Sequence, residues 1–549
     1  MADPLVVASF LGAISPSTID PKLFPSTAGV LSTNQRPGRG DLRPWLTPLA
    51  EASVPSGTQR QSIYRMNGNA GAGYWFSWTT VVNAIKGYDT DDTTERFYFT
   101  GSGSPKWSDN VIGLAGGPPY PQGARELSVP APTTTLTTAV ATTGTGETAE
   151  WFYVQTFVND RGWESAPGTA AMVTAPSDSV ITIGNLDTAP SGAYGITLTR
   201  IYKAVTGTSG TAAFFFHSEH PIGTATVTDS GETVGEQLAT GANGVGKSWQ
   251  PPPADGFGLT KMWDGMLAMC SGKSVYVCEP YTPYAWPLAY RIDVADNVVG
   301  LAVYGQSMLI LTDGDVYLVT GSDPASLDCA PQQIFQPCVS ARSIVCYLDG
   351  AIWAAPSGLW YYGSRGEFNL LSGIVDAAAW AAMVPSTMMA SRHADLRLAF
   401  VFYNDGTKKG FCVDIDTPVG LYGIATGFDA VTRTTDGKMH VLRGTSIQRW
   451  DGGASLMTTT FQSKPFETPA PLSMSALEVV ARGYPVHVTI VATNDEDEAT
   501  TIFDRDVTSQ VPVRPKPGSF TNYQVEITTA VGSVQAVRLA QDMGDLRNG

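Results

Sequence analysis

Gly241, Gly246, Lys247 and Ser248, in the stretch GANGVGKSWQPPP (241–253), satisfy the phosphate-loop pattern G-x-x-x-x-G-K-[ST]. In such a loop backbone N–H groups cradle phosphates, the lysine reaches the outer phosphates and the hydroxyl holds magnesium. That chemistry needs a buried parallel strand before the loop and a helix after it. Here Trp249 and Gln250 are followed by Pro251, Pro252 and Pro253, and three successive prolines preclude the helix. The flanking sequence is β-rich, whereas phosphate loops belong to α/β folds. The stretch reads as a Gly-rich linker.

Other candidate groups carry no reaction either. Arg39-Gly40-Asp41 matches an adhesion tripeptide but reads as a turn. Asp89, Asp91, Asp92 and Glu95 cluster in KGYDTDDTTE without the spacing or glycine of a calcium-binding loop, so they read as a solvated hairpin tip. NDEDE (494–498) reads as a solvated turn. The histidines, at 217, 220, 393, 440 and 487, are scattered, and the H-x-x-H of His217 and His220 suits neither a same-face strand pair nor a helical zinc site. No G-x-S-x-G elbow is present. A glycosidase would need two carboxylates beside a channel. However, Asp264, Asp313, Asp349, Asp405, Asp436 and Asp451 all precede glycine, where turn hydrogen bonding explains them. Cys270, Cys278, Cys329, Cys338, Cys346 and Cys412 lack zinc spacing and read as reduced core thiols, with a Cys329–Cys338 pair as the alternative. The expectation is a protein that is not an enzyme, with no catalytic, cofactor-binding or metal-ligating residues and no cofactor.

Fifty acidic against 34 basic residues give a formal charge of −16. Nucleic-acid binders normally present a basic surface, so tight DNA binding is not expected. An acidic surface suits solubility, and equally a protein past which DNA must move without adhering. No apolar run reaches the ~18 residues of a membrane span. LVVASFLGAI (5–14) follows Asp3 rather than a basic segment and reads as no export signal.

The elements that position these groups are short aromatic and β-branched segments punctuated by Gly, Pro, Asp and Asn, the profile of an all-β chain. Residues 1–60 are proline-rich and read as an extended N-terminal arm contacting neighbours. Residues 61–127 hold strands at 74–82 and 95–101, enough for one blade of a β-propeller. Residues 128–243 hold five or more short strands and predict an inserted fibronectin type III-like sandwich, burying Phe152, Val154, Ile196, Leu198 and Ile201. Residues 244–455 repeat a hairpin about every 40–48 residues: 262–280, 303–321, 347–363, 395–414 and 434–451. That period fits one propeller blade per repeat. IVDAAAWAAM (374–383) reads as a short helix on an edge. Residues 456–549 predict a C-terminal β-sandwich.

Four stretches carry a family resemblance. FLGAISP with STNQRPGRGDLRPWLTPL, ERFYFTGSGSPKW, EWFYVQTFVNDRGWESAPG with GITLTRIYKAVTGT, and FQPCVSARSIVCYLDGAIWAAPSGLWYYG resemble the tail nozzle (tail tubular protein B, tail hub) proteins of short-tailed bacteriophages. The ending SVQAVRLAQDMGDLR is similar as well. The chain is shorter than the larger nozzles, which implies reduced tip insertions. The resemblance implies a virion tail component: a closed head-to-tail ring, expected to be a homohexamer, below the adapter (head-to-tail connector) protein. It would contact tail fibres or spikes, retain the genome and let DNA pass without sequence-specific binding or membrane insertion. Asp89, Asp91, Asp92 and the 494–498 carboxylates are expected at the lumen or an inter-subunit seam. The alternative is a receptor- or glycan-binding propeller adhesin, with Trp263, Trp353, Trp360 and Trp450 stacking on sugars; at strand positions the same rings fit blade core.

Overall fold

Strands that are apolar on both faces set the architecture. In Ser307–Thr312 everything from Met308 onward is buried, with Met308 and Ile310 facing one neighbouring sheet and Leu309 and Leu311 the other. Gly350–Ala355 is buried throughout and divides in the same way, Ile352 and Ala354 against Ala351, Trp353 and Ala355. A strand buried on both sides needs a sheet on each side, and short sheets meet that need by packing radially.

The computed structural model describes residues 4–14, 19–67, 73–205, 213–231, 235–238, 250–393 and 396–547. Among these, seven antiparallel sheets follow one another around an axis. Six have four strands: 83–126, 257–293, 298–331, 345–369, 389–424, and 430–449 completed by Leu49–Ser53. The seventh is the hairpin Ser62–Asn67 with Gly73–Trp78, flanked by Tyr120, which bridges to Phe76. Each consecutive pair encloses its own apolar core. Tyr98 and Trp107 meet Leu259 and Met269; Met266 and Val277 meet Leu301 and Ile310; Leu309 and Val316 meet Ala351 and Trp353. Ile352 and Tyr361 meet Val401 and Phe411, and Phe400 and Phe402 meet Met439 and Val441. Leu442 and Ile447 meet Ile63, and Met66 and Phe76 meet Phe97 and Phe99, which closes the ring. The last contact includes a stack of Tyr64 on Phe97 at 4.9 Å. The protein is an all-β propeller carrying two sandwiches.

The five sequence repeats are the two middle strands of five blades, as in Leu267–Ser271 with Ser274–Val277 and Met439–Arg443 with Ser446–Arg449. The segment at 74–101, expected to form one blade, is divided between two sheets. The expected helix is Ala377–Ala382, but it is not a bare edge element. Trp380 is buried between two blades and its Nε1 donates to the Ala355 carbonyl at 2.9 Å.

Residues 1–60 are not a free arm. Leu5–Val7 pairs with Val534–Ala540 in the C-terminal sandwich, Gly29–Thr33 pairs with Thr459–Ser463, and Leu49–Ser53 completes a blade. Proline-rich connections hid three strands too short to show a period. Thr33 also pairs in parallel with Gly423, so one blade and one sandwich sheet form a single ten-stranded sheet. The C-terminal sandwich closes when Leu477, Val479, Val537 and Leu539 pack on Val488, Ile490, Val525 and Ile527.

The inserted sandwich has a three-stranded sheet (Thr137–Thr142, Val180–Gly184, Thr226–Asp229) on a four-stranded one (Ala171–Pro176, Thr148–Asn159, Ile196–Val205, Phe215–Pro221). Its core uses Trp151, Tyr153 and Ile201 against Ile181, Ile183 and Val227. Of the expected core residues, Ile201 and Val154 are buried, whereas Phe152, Ile196 and Leu198 are half-buried. WFYV is apolar at every position, so alternation could not choose its face, and a register shift at Val158/Asn159 displaces the paired strand.

Candidate functional site

Five of the seven sheets leave a narrow cavity of ≈ 230 Å³ at their inner edges, lined by 61–64, 81–84, Ala341, Arg342, Ile344, Met389, Ala390, Val431 and Thr432. That is below the ~300–1,000 Å³ of typical small-molecule pockets. Its charged lining residue is Arg342, whose Nη2 donates to the carbonyls of Gln61 and Asp429, both at 2.9 Å. Burial holds this guanidinium below its ordinary value, against the pull of Asp429. The lining includes no carboxylate or imidazole, so it offers no acid/base pair for glycoside cleavage. Arg342 instead ties three parts of the ring together through backbone oxygens.

Gly241, Gly246, Lys247 and Ser248 lie outside the described residues. Downstream, Gln250 is tied to the next blade, its carbonyl accepting from Trp286 N at 2.9 Å, and 251–253 are non-helical. Upstream, Thr226–Asp229 is antiparallel to Val180–Gly184. Neither flank has the form a phosphate loop requires. Arg39-Gly40-Asp41 is a turn pinned to its own chain: Gly40 has φ +76°, its carbonyl accepts from Phe10 N, and Leu42 N donates to Val534 O.

Asp89 and Asp91 are exposed on the connection between Asn83–Lys86 and Phe97–Thr100, away from the cavity lining. Asp92 is structural: its Oδ1 accepts from Thr94 N at 2.9 Å, and Oδ2 lies 3.6 Å from Arg96 Nε. Burial would raise its pKa, but these bonds hold the carboxyl below its ordinary value. In 494–498, Asn494 Oδ1 accepts from the N–H groups of Glu496 and Glu498, leaving the carboxylates on an exposed sandwich tip. The structure therefore does not bring the two acidic clusters into one site.

Trp263, Trp353 and Trp450 are buried blade core and Trp360 is half-buried, with its Nε1 on Ser357 Oγ at 2.8 Å. The six cysteines are free thiols, and burial pushes Cys278 and Cys338 up to about 12, which makes them unreactive. Asp349 and Asp451 exceed local turn chemistry. Asp349 accepts from Arg397 of the next blade at 2.8 Å, and Asp451 accepts from Arg36 Nη1 at 2.9 Å and Leu46 N at 2.8 Å.

Three further groupings had no local signal. His440, fully buried under Trp75, meets Glu51 at 2.9 Å across 389 positions of chain. Trp163 stacks on Tyr284 at 4.9 Å and lies 5.4 Å from Trp107, while Arg161 pairs with Asp109, which docks the inserted sandwich on the propeller. Inside that sandwich Tyr153, Lys203, His217 and Asp229 converge, although His217 and His220 share only the hydroxyl of Ser218. Among the described residues no His, Cys, Asp and Glu group has the arrangement of a metal site.

No protein-family model matches this chain, and no curated protein does either. Among solved structures it is similar to BBS1N in its complex with ARL6DN, at 11% identity over 51% of this chain and 86% of the other, with a TM-score of 0.25. It is similar to Hsv2 of Kluyveromyces marxianus at 9% identity over 57% and 95%, TM-score 0.25. A chain of the S. cerevisiae dbp5–nup159–gle1 complex is similar at 11% identity over 51% and 90%, TM-score 0.23. At such scores none of the three bears on what this protein does.

Proposed function

We propose that this chain is a structural wall subunit of a short-tailed phage tail, a nozzle ring below the adapter that retains DNA and then lets it pass. The observation that supports the reading is that three of the family-like stretches supply residues at joints between units, while the others form blade and sandwich strands. STNQRPGRGDLRPW contains Asn34 and Trp45, which join a blade to the sandwich and to the next blade. FQPCVSARS supplies Ser340, which donates to the Met388 carbonyl beside the next blade, and Arg342, which donates to the carbonyls of Gln61 and Asp429 of two further sheets. NDRGWES supplies Arg161 and Trp163, which seat the insert. The net charge of −16 supports a wall to which phosphates do not adhere.

Native mass spectrometry and electron microscopy of the full chain, alone and with a phage adapter ring, test this reading. A closed ring, or stoichiometric seating on the adapter, is expected. A monomer or trimer that ignores adapters and retains saccharide on a glycan array would replace it with the adhesin.

A further inference from the structure

Lys203 and Asp229 are an ion pair where a small sandwich should be apolar. Lys203 is 5% exposed and Asp229 2%. Lys203 Nζ lies 3.0 Å from Oδ1 and 3.1 Å from Oδ2, so the nitrogen straddles the carboxyl group. The two residues sit on strands of opposite sheets, Ile196–Val205 and Thr226–Asp229. Proton carriers flank the carboxyl: Tyr153 OH donates to Oδ2 at 2.7 Å, and His217 Nε2 is 3.3 Å from Oδ1. The indole of Trp151 lies 5.7 Å from Nζ.

We propose that this pair condenses to an isopeptide bond, a covalent staple between the two sheets of the inserted sandwich. The ammonium first gives one proton to the carboxylate, making a neutral amine beside a neutral acid. The amine lone pair then attacks Cγ, and the N–Cγ bond forms as the carbonyl π pair moves to oxygen. The second amine proton passes, through His217 or Tyr153, to the departing hydroxyl. The Cγ–OH bond breaks, water leaves, and the neutral amide remains. Ammonium plus carboxylate thus become amide plus water, with no oxidant and no co-reactant.

Two physical arguments favour the reaction. Holding the partners at contact distance replaces a bimolecular encounter with a high effective concentration. The product also removes two charges from an interior where desolvation opposes them. The hydrogen bonds to Asp229 favour its carboxylate, so the neutral pair is rarely populated. A reaction needed once per molecule tolerates that.

The test is the intact mass of the full-length folded protein, measured after denaturation, followed by peptide mapping. The expected mass is lower than that of the sequence by one water, with a branched peptide containing Lys203 and Asp229 and no tryptic cleavage after Lys203. Asp229→Ala and Lys203→Met should restore the full mass, and His217→Gln should leave an unlinked fraction. An unaltered wild-type mass with cleavage after Lys203 overturns the proposal, as does water loss mapped to other residues. The wild-type result decides even if the variants fail to fold.

Discussion

Replacing Trp45 with alanine tests whether residues 1–60 are structural. Trp45 is fully buried, 5.6 Å from Phe400 and 5.8 Å from Trp450, with the Arg36 guanidinium 5.1 Å from its ring. Its core joins the blade at 389–424 to the one at 430–449. Removing a buried tryptophan costs about 3–5 kcal/mol, the loss of transfer energy plus the cavity left behind. One term works the other way: Trp45 Nε1 is buried without a hydrogen-bond partner among the described residues, and losing such a donor recovers about 1 kcal/mol. The net expectation is about 2–4 kcal/mol. At roughly 2 °C per kcal/mol for a large domain, that lowers the propeller transition by about 4–8 °C in calorimetry. Trp45→Phe keeps much of the apolar contact and removes the orphan donor, so it should lose less than half as much. If Trp45→Ala shifts the transition by under 1 °C, the N-terminal segment is not part of the folded ring and the assignment of its strands is wrong.

Other consequences can be measured separately. Burial keeps His440 below the ordinary imidazole value despite Glu51, so the unfolded chain binds more protons as pH falls through ~6.5. Its contribution to stability is present above that pH and lost below it; urea midpoints at pH 8 and 5.5 should differ less in His440→Gln than in wild type. Gly101 has φ +96°, and an added Cβ would sit 2.0 Å from the Val81 carbonyl, so Gly101→Ala should cost more than about 2 kcal/mol in urea unfolding. Trp163→Ala should undock the inserted sandwich without melting it, seen as faster proteolysis near 128–132 with the sandwich fragment intact. Under the proposed function, Asp89→Lys with Asp91→Lys should slow DNA release from assembled particles without moving the unfolding midpoint. Asp92 is excluded because it holds Thr94 and Arg96 in place, and unchanged ejection kinetics would count against an acidic lumen.

Only part of this was legible in the sequence, for reasons specific to each element. The middle hairpins of the blades are local and apolar, and the Gly or Asp-Gly turns between them set a period. Inner and outer strands such as Val345–Cys346 and Asp328–Pro331 are short and irregular, so periodicity does not reveal them. Blade number stayed hidden because the two-stranded blade Ser62–Asn67 with Gly73–Trp78 has no hairpin repeat of the common form. Pairings across hundreds of residues, such as Leu49–Ser53 with Ser446–Arg449, have no local trace at all. The same holds for chemistry. His440 with Glu51 and Lys203 with Asp229 are contacts made by topology, and scanning for spacing could not find them.

The joint between propeller and sandwich makes the most exacting demand on single residues. At Thr33 and Gly423 two strands pair in parallel, and an added Cβ on Gly423 would lie 2.7 Å from the Ser32 carbonyl. Asn34, with φ +55°, turns there, its Nδ2 donating to the Thr458 carbonyl at 3.0 Å and its Oδ1 accepting from Ala425 N at 3.2 Å. Asparagine tolerates this left-handed geometry and bridges both sides, whereas alanine does neither. Gly423→Ala must push the strands apart at a backbone contact with no flexible side chain to yield. The ten-stranded sheet should then split, and propeller and C-terminal sandwich, which the shared sheet is expected to unfold together in one calorimetric transition, should unfold in two. Asn34→Ala should do the same more weakly, since it deletes two hydrogen bonds of about 1 kcal/mol each and adds backbone strain. If both variants keep one coincident transition, the sheet does not couple the two units. Force at the sandwich would then have no hydrogen-bonded path through this joint into the ring.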